Sequence, residues 1–505
     1  MQSAGKRSHT KEPHLKSPGI MAPPTTSARR DKAIIMTLLV ATFVVILNET
    51  IMNVALPRLM ADLGVDVSTV QWLVTIYLLV MAVVIPTTGF LIQRFSTRRL
   101  FLAAMGVFTL GTLVAAGAPN FAVLLGSRVL QAMGTALMLP LLMTVILALV
   151  PMERRGAMMG TVGIVISVAP AIGPTISGLI LQALSWRFMF LFMVPIAVVV
   201  LVYGARNLVN VGEPQAARID WLSIPLAVLG FGGLVYGFSG AGESGWGSPQ
   251  VLVGIAAGAI GLALFTWRQI RLSTPLLDLR AFRYPLFTLS VVMMMVVMMS
   301  LFAAIIILPL YLQNIRLFKP LQTGLFLLPG GALLGLAGPF VGRVFDRSGP
   351  RALVITGSTT VAIILWQWSR LTATTPVPLV LALHGLFCLG LSLLFTPVMT
   401  TGLNQLPPAL HPHGSAISTT LQQIAGAIGT ALLISIMAIR AQTILGADAA
   451  SASEEAKAAA SLAGFQSAFA VAAGIAVLGL IMGLFLRRAS PVEGEAGVPA
   501  QPALH

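Results

Sequence analysis

The sequence predicts an all-α polytopic membrane protein: fourteen transmembrane helices, arranged as two six-helix bundles with two further spans inserted between them. Three observations carry this. The chain is 57% apolar and only 9% charged, against about 25% charged residues in soluble domains, so it cannot clothe 505 residues in a water-facing surface. Apolar runs recur at the length that crosses a bilayer core, about 20 helical residues over about 30 Å. And one loop sequence returns, in register, in the second half of the chain.

The spans follow in order. The first run, 33–55, is long and carries Glu49. Runs at 70–91 and 100–117 flank a basic loop, 121–148 carries Arg128, and 157–181 and 187–205 complete six. Runs 221–239 and 250–271 are joined by a Gly-rich turn, GAGESGWG. The last six are 285–312, 321–342, 352–371, 377–402, 413–440 and 464–486, the final one closed by Arg487-Arg488. The first run is too long for a signal-peptide core, contains Glu49 and lacks a clear cleavage site, so it is expected to stay as a span.

The loop after the second span reads Gly89-Phe-Leu-Ile-Gln93-Arg94-Phe-Ser96-Thr-Arg98, and the loop after the tenth reads Gly342-Arg-Val-Phe-Asp346-Arg347-Ser-Gly349-Pro-Arg351. Gly, Arg and Arg recur at the same offsets, so spans one to six match spans nine to fourteen. The resulting division is a basic disordered tail at 1–32, an N-terminal bundle at 33–206, a linker with two extra spans at 207–284, a C-terminal bundle at 285–488 and a tail at 489–505.

The net charge of +15 would raise nucleic acid as a partner in a soluble protein. Here the alternation of loops explains it. Of the 31 Lys and Arg, 23 fall on the side of the two termini, seven on the other, and one, Arg128, within a span. By the positive-inside rule the termini are cytoplasmic, in a plasma-membrane protein, and no nucleic-acid partner is expected. The lone cysteine, Cys388, excludes an intrachain disulfide. No phosphate-binding loop, HExxH pair or Cys/His ligand spacing occurs, so neither ATP, metal nor organic cofactor is expected.

Three motifs reach a known pattern. The first span carries Leu47-Asn48-Glu49-Thr50-Ile51-Met52-Asn53-Val54-Ala55-Leu56-Pro57, the fourth Arg128-Val-Leu-Gln131-Ala-Met-Gly134, and the fifth Ala169-Pro-Ala-Ile-Gly173-Pro174-Thr-Ile-Ser177-Gly178. With the loop motif, these resemble the fourteen-span drug:proton antiporter branch of the major facilitator superfamily, the EmrB/QacA type, and the Asn-Glu-Thr element resembles its lincomycin-resistance subgroup. The resemblance implies the major facilitator fold and export coupled to protons. The chain departs from the pattern at Asn48, where an acid is usual, at Gln93 and Ser96 in the first loop, and at Ala169 and Ser177 in the fifth span.

Charges inside membrane helices are costly, so they face a cavity, pair or carry ions. Three ionisable groups lie deep in the spans: Glu49, Arg128 and His384. At 1.5 Å per residue, Glu49 lies about 24 Å from the start of its span and Arg128 about 10 Å into its own from the other face. The two thus share the outer half of the membrane and are expected to pair, with Glu49 as proton carrier and Arg128 as its partner; a static structural pair is the alternative. His384 sits at the repeat-equivalent depth of Arg128 and is the next candidate for proton coupling, although a lone intramembrane histidine is more often a packing residue.

Gly89, Arg94, Arg98, Gly173, Pro174, Gly178, Gly342, Asp346 and Arg347 are the candidate conformational residues: the small residues for close helix contact or hinging, the loop arginines for gripping helix C-termini across the two bundles. Trp72, Tyr77, Gln131, Met295, Met299, Tyr311, Gln422 and Gln423 are candidates for a substrate cavity, since thioethers and aromatic faces accept many shapes. Core or lipid-facing packing is the competing role for each. The expected function is efflux of lipophilic or amphipathic compounds by proton antiport and alternating access, with the bilayer and small lipophilic substrates as partners. Export of a cellular lipid, metabolite or siderophore is the rival within transport; a channel or a multi-span membrane enzyme is the rival outside it.

Overall fold

The computed structural model describes residues 26–211, 220–446 and 453–488, so most of the expected N-terminal tail and all of 489–505 lie outside the described residues. The first six helices are α1 (Thr26–Leu63), α2 (Val67–Arg94), α3 (Thr97–Ala116), α4 (Phe121–Leu149), α5 (Arg155–Ala183) and α6 (Arg187–Asn207). The inserted pair is α7, which runs from Ser223 to Ser244 through a π turn at Val228–Gly232, and α8 (Pro249–Arg271). The last six are α9, from Pro285 to Asn314 through a π turn at Ala303–Ile307, then α10 (Pro320–Ser348), α11 (Arg351–Trp368), α12 (Val377–Asn404), α13 (His411–Leu445) and α14 (Glu454–Phe485).

Thirteen of these, among the described residues, are long and apolar enough to cross a membrane. The fourteenth, α11, is diluted by Arg351, Gln367 and four hydroxyl side chains, yet packs between α12 and α14 as a full member of its bundle. Helix starts are set by short polar caps: Asp66 accepts from the Thr69 N–H at 2.8 Å, and Asn120 from that of Val123 at 3.0 Å. Large apolar side chains such as Val199, Leu336 and Phe340 remain two-thirds exposed on the outside, a surface suited to lipid and not to water.

The repeat seen in the loops is also a repeat of packing. In the first bundle α1 packs on α4, α5 and α6, α2 on α4, and α3 on α4 and α6. In the second, α9 packs on α12, α13 and α14, α10 on α12, and α11 on α12 and α14. The bundles meet through α5 against α10 and α2 against α13, two contacts that exchange under the repeat.

The inserted pair zips together through glycines: Gly230, Gly233 and Gly237 of α7 lie against Gly261, Gly258 and Gly254 of α8, which brings the backbones together. It covers the outer seam of α2 and α13. Trp72 stacks on Tyr236 at 6.1 Å, and Trp246 donates to Ser435 at 2.7 Å. Below the pair, Arg268 grips Asp220 with two hydrogen bonds of 2.7 and 2.6 Å. That bidentate bond holds the Asp220 carboxyl down at about 2, below its ordinary range. The ion pair therefore stabilises the fold fully above pH of about 4, and the contribution fades as pH falls towards about 2. Asp220→Asn should lower the thermal midpoint by about 2 °C at pH 7 and by less at pH 3, with transport retained, in melts of the purified protein.

Candidate functional site

The loops after α2 and α10 lie at one end of the molecule, called here the motif end. Every hydrogen bond found between the two bundles among the described residues is at that end. Asp346 accepts from the Gly156 and Ala157 N–H groups at 2.8 and 2.9 Å, a carboxylate seated on the first turn of α5, where free amides and the helix dipole favour negative charge. Arg155 donates to Asn404 at 3.0 Å, and Gln93 donates to the Ala409 carbonyl at 2.9 Å. Beneath them the α5 and α10 backbones touch at Gly156 with Gly342 and at Gly160 with Gly338, where any Cβ would collide with the facing carbonyl. In this conformation the motif end is shut.

The inter-bundle clamp is thus made by Asp346, and the expectation that the loop arginines bridge the bundles is corrected. Arg98 donates to the Ala205 carbonyl at the end of α6, within its own bundle, at 2.6 Å. Arg94 lies over Phe95, and Arg347 is exposed. Gln93, which stands where an acid is usual, still ties α2 to the C-terminal bundle, but as a donor. Among the motif glycines, Gly89 faces the His413 ring and Gly173 faces Thr50, while Gly178 has open space around it and makes no close approach. Pro174 neighbours the Gly173 contact and leaves α5 continuous to Ala183.

The buried charge is concentrated in the N-terminal bundle. Arg128 of α4 is 1% exposed. Its guanidinium lies over the Tyr77 ring, 4.0 Å from the centroid, donates through Nε to the Leu73 carbonyl at 3.1 Å, and through Nη1 to Gln131 Oε1 at 2.8 Å. Gln131 Nε2 donates to Thr112 of α3 at 3.3 Å, and the Tyr77 hydroxyl donates to Thr135 at 2.7 Å. Three helices therefore orient one cation. Glu49 of α1 stands close enough for its charge to act on both Arg128 and Tyr77. The ion pairs within 4.0 Å among the described residues do not include Glu49 with Arg128, so the expected direct contact is not formed in this conformation. The reason is that the aromatic face and two hydrogen bonds already hold the guanidinium. Asn48, which precedes Glu49 in α1, is buried, with its Nδ2 lacking a partner among the described residues.

Lysine keeps the charge of Arg128 but cannot lie over Tyr77 while donating to two separate acceptors. Arg128→Lys should therefore reduce coupled transport about tenfold or more while the fold survives. Initial-rate flux in proteoliposomes checks this.

His384 does sit seven residues into α12, as Arg128 does in α4, but its surroundings differ in kind. Its ring stacks on Trp368 and Phe326, with Nε2 3.4 Å from the Leu327 carbonyl. The register of the repeated loops makes Gly330 the counterpart of Tyr77, and Gly330 packs directly against the His384 ring. One half holds a cation over a phenol, and the other holds an imidazole in an aromatic nest.

The cavity candidates disperse. Tyr77 and Gln131 are buried members of the Arg128 cluster, a role the spacing of the Arg128–Gln131 pair hinted at and the isolated Tyr77 did not. Trp72 is 40% exposed and stacks on the inserted pair, and Tyr311 is buried with its hydroxyl donating to the Thr372 carbonyl at 2.7 Å. Both are therefore corrected from cavity walls to packing positions. Met295, Met299, Gln422 and Gln423 are half-buried in α9 and α13, with Gln422 lining a small recess beside Met294 and Met399. Missed by sequence reasoning were Thr112 and Thr135, whose hydroxyls complete the cluster, and His413, wedged against Gly89. Among the described residues no group of His, Cys, Asp and Glu is placed to hold a metal ion.

Residues 38–430 match the Major Facilitator Superfamily. The chain is 45% identical over 456 residues to the lincomycin resistance protein LmrB of Listeria monocytogenes, covering 90% of this chain and 97% of that one. It is 45% identical over 457 residues to LmrB of Bacillus subtilis, covering 90% and 95%. Among solved structures, the proton:xylose symporter XylE aligns over 92% of this chain and 98% of its own, with a TM-score of 0.63 at 15% identity, a likeness of fold.

Proposed function

Because the chain belongs to the major facilitator superfamily, in its drug:proton antiporter branch, we propose that it exports lipophilic or amphipathic compounds in exchange for protons, by alternating access between its two bundles. The protein is an integral, multi-pass membrane transporter. The motif end is the cytoplasmic face of the plasma membrane, the proton is the coupling ion, and no other cofactor takes part. The conformer described here is then one shut on the cytoplasmic side.

The observation that supports this reading best is the carboxylate of Glu49, poised near a buried cation that three helices orient. A carboxylate so placed exchanges its proton when the cavity changes sides, and the fixed cation sets how readily. One proton moving down about 100 mV and one pH unit supplies about 3.7 kcal/mol, enough for a several-hundred-fold gradient of a neutral substrate.

The test is flux into proteoliposomes under an imposed pH gradient, with lincomycin as the first compound, since relatives carry that name, followed by other lipophilic cations and neutrals. Gradient-driven transport that stops with a protonophore is expected; transport indifferent to collapse of both pH gradient and potential would overturn the reading. Single cysteines on a Cys388→Ser background test the orientation. A cysteine at Thr374 should react with an impermeant thiol reagent on intact cells, and one at Arg351 should not.

A further inference from the structure

We propose that a crevice on the membrane-facing side of the N-terminal bundle binds one anionic phospholipid of the leaflet at the motif end. The crevice has a volume of about 610 Å³ and lies between α2, α3 and α4, its lining completed by Ile224 at the start of α7 and Leu276 in the segment after α8. It lies outside the Arg128 cluster and the bundle interface, so it stands apart from the transport reading.

Its shape is that of a lipid chain standing in one leaflet. The lining runs along α3 from Arg99 to Val107 and along α2 from Phe90 back to Val83. The stretches are about 12 Å and about 10 Å long at 1.5 Å per residue, against about 15 Å for half of a bilayer core. Ala103, Met133 and Leu137 complete walls that carry almost no polar atoms, and Ala103 and Met133 are exposed, so the crevice opens to the bilayer and not to the bundle centre.

The charge sits where a headgroup would. Arg99 is the one charged residue of the lining, it occupies the motif-end mouth, and it is exposed, with no hydrogen-bond or ion-pair partner among the described residues. Among the described residues, the linker carboxylates do not neutralise it, because Asp220 is held by Arg268 and Asp278 by Arg280. A free guanidinium above an apolar slot one leaflet deep selects a ligand with a phosphate at one end and an acyl chain below it. A zwitterionic headgroup offers the same phosphate with its charge cancelled, which gives the preference for an anionic lipid.

The test uses the full chain in nanodiscs of phosphatidylcholine with phosphatidylglycerol as a minor component, and native mass spectrometry to count the lipids retained on release. Wild type should retain phosphatidylglycerol ahead of phosphatidylcholine. Arg99→Gln should lower that retention about fivefold, the effect of about one basic residue at a membrane surface. Arg99→Lys should restore most of it. Ala103→Phe should abolish it by filling the slot from an exposed position, and Arg370→Gln, at the opposite end, should leave it unchanged. Equal retention of the two lipids, wild-type retention in both Arg99→Gln and Ala103→Phe, or displacement by the transported compound and not by phosphatidylglycerol would each overturn the assignment. Ala103→Phe decides the matter if Arg99→Gln does not fold.

Discussion

Glu49→Gln should abolish uphill export while substrate binding survives. Glutamine keeps the size of the side chain and its capacity for hydrogen bonds, but holds the site permanently in the uncharged state. A transporter that cannot release its proton on one side cannot return the energy of the gradient to the substrate, so accumulation should fall from several-hundred-fold to about unity. Downhill exchange of substrate has no such requirement and should persist. In the wild type, if proton and substrate compete for one cavity, equilibrium binding should weaken as pH falls from about 9 to about 5, and in Glu49→Gln this dependence should flatten. Flux driven by a pH jump, measured beside equilibrium binding across that range, separates the two effects. Normal proton-driven accumulation by Glu49→Gln would move the coupling role elsewhere, with His384 as the next residue to replace.

Gly160→Val should be nearly as damaging, through conformation and not through chemistry. Gly160 and Gly338 bring the α5 and α10 backbones into contact under the Asp346 clamp, with no room for a Cβ on either side. Any side chain there forces the two bundles apart at the motif end while leaving each bundle intact. A penalty of about 3 kcal/mol, at the upper range for overpacking, shifts the balance between shut and open forms about 100-fold. Transport should fall at least about tenfold, and a cysteine at Ala157 should become far more reactive towards a thiol reagent from the motif-end side. Gly163→Val is the internal control: it lies one turn away on the same helix, but a Cβ there would meet only Thr396 Oγ1, at 4.0 Å. It should fold and transport close to normally. Equal loss in both variants would mean that α5 simply dislikes a β-branched residue, and the contact would lose its special role.

The membrane-spanning character of the chain and the two-bundle architecture were legible in the sequence, because the bilayer imposes a length rule on each helix separately and a duplicated unit leaves a duplicated loop. The sequence also identified Glu49, Arg128 and His384 as the unusual residues, since depth along a helix follows directly from position in the chain. Rotation about the helix axis and the identity of neighbours do not follow from position. Only the packing showed that Arg128 rests on Tyr77 and Gln131 and not on Glu49, that Trp72 and Tyr311 are packing residues, and that His384 lies in an aromatic nest. The same holds for Asp346. Its acidity was visible in the motif, but its partners, the free amides of α5, lie 190 and 189 residues away along the chain. They exist as partners only because two bundles close upon one another.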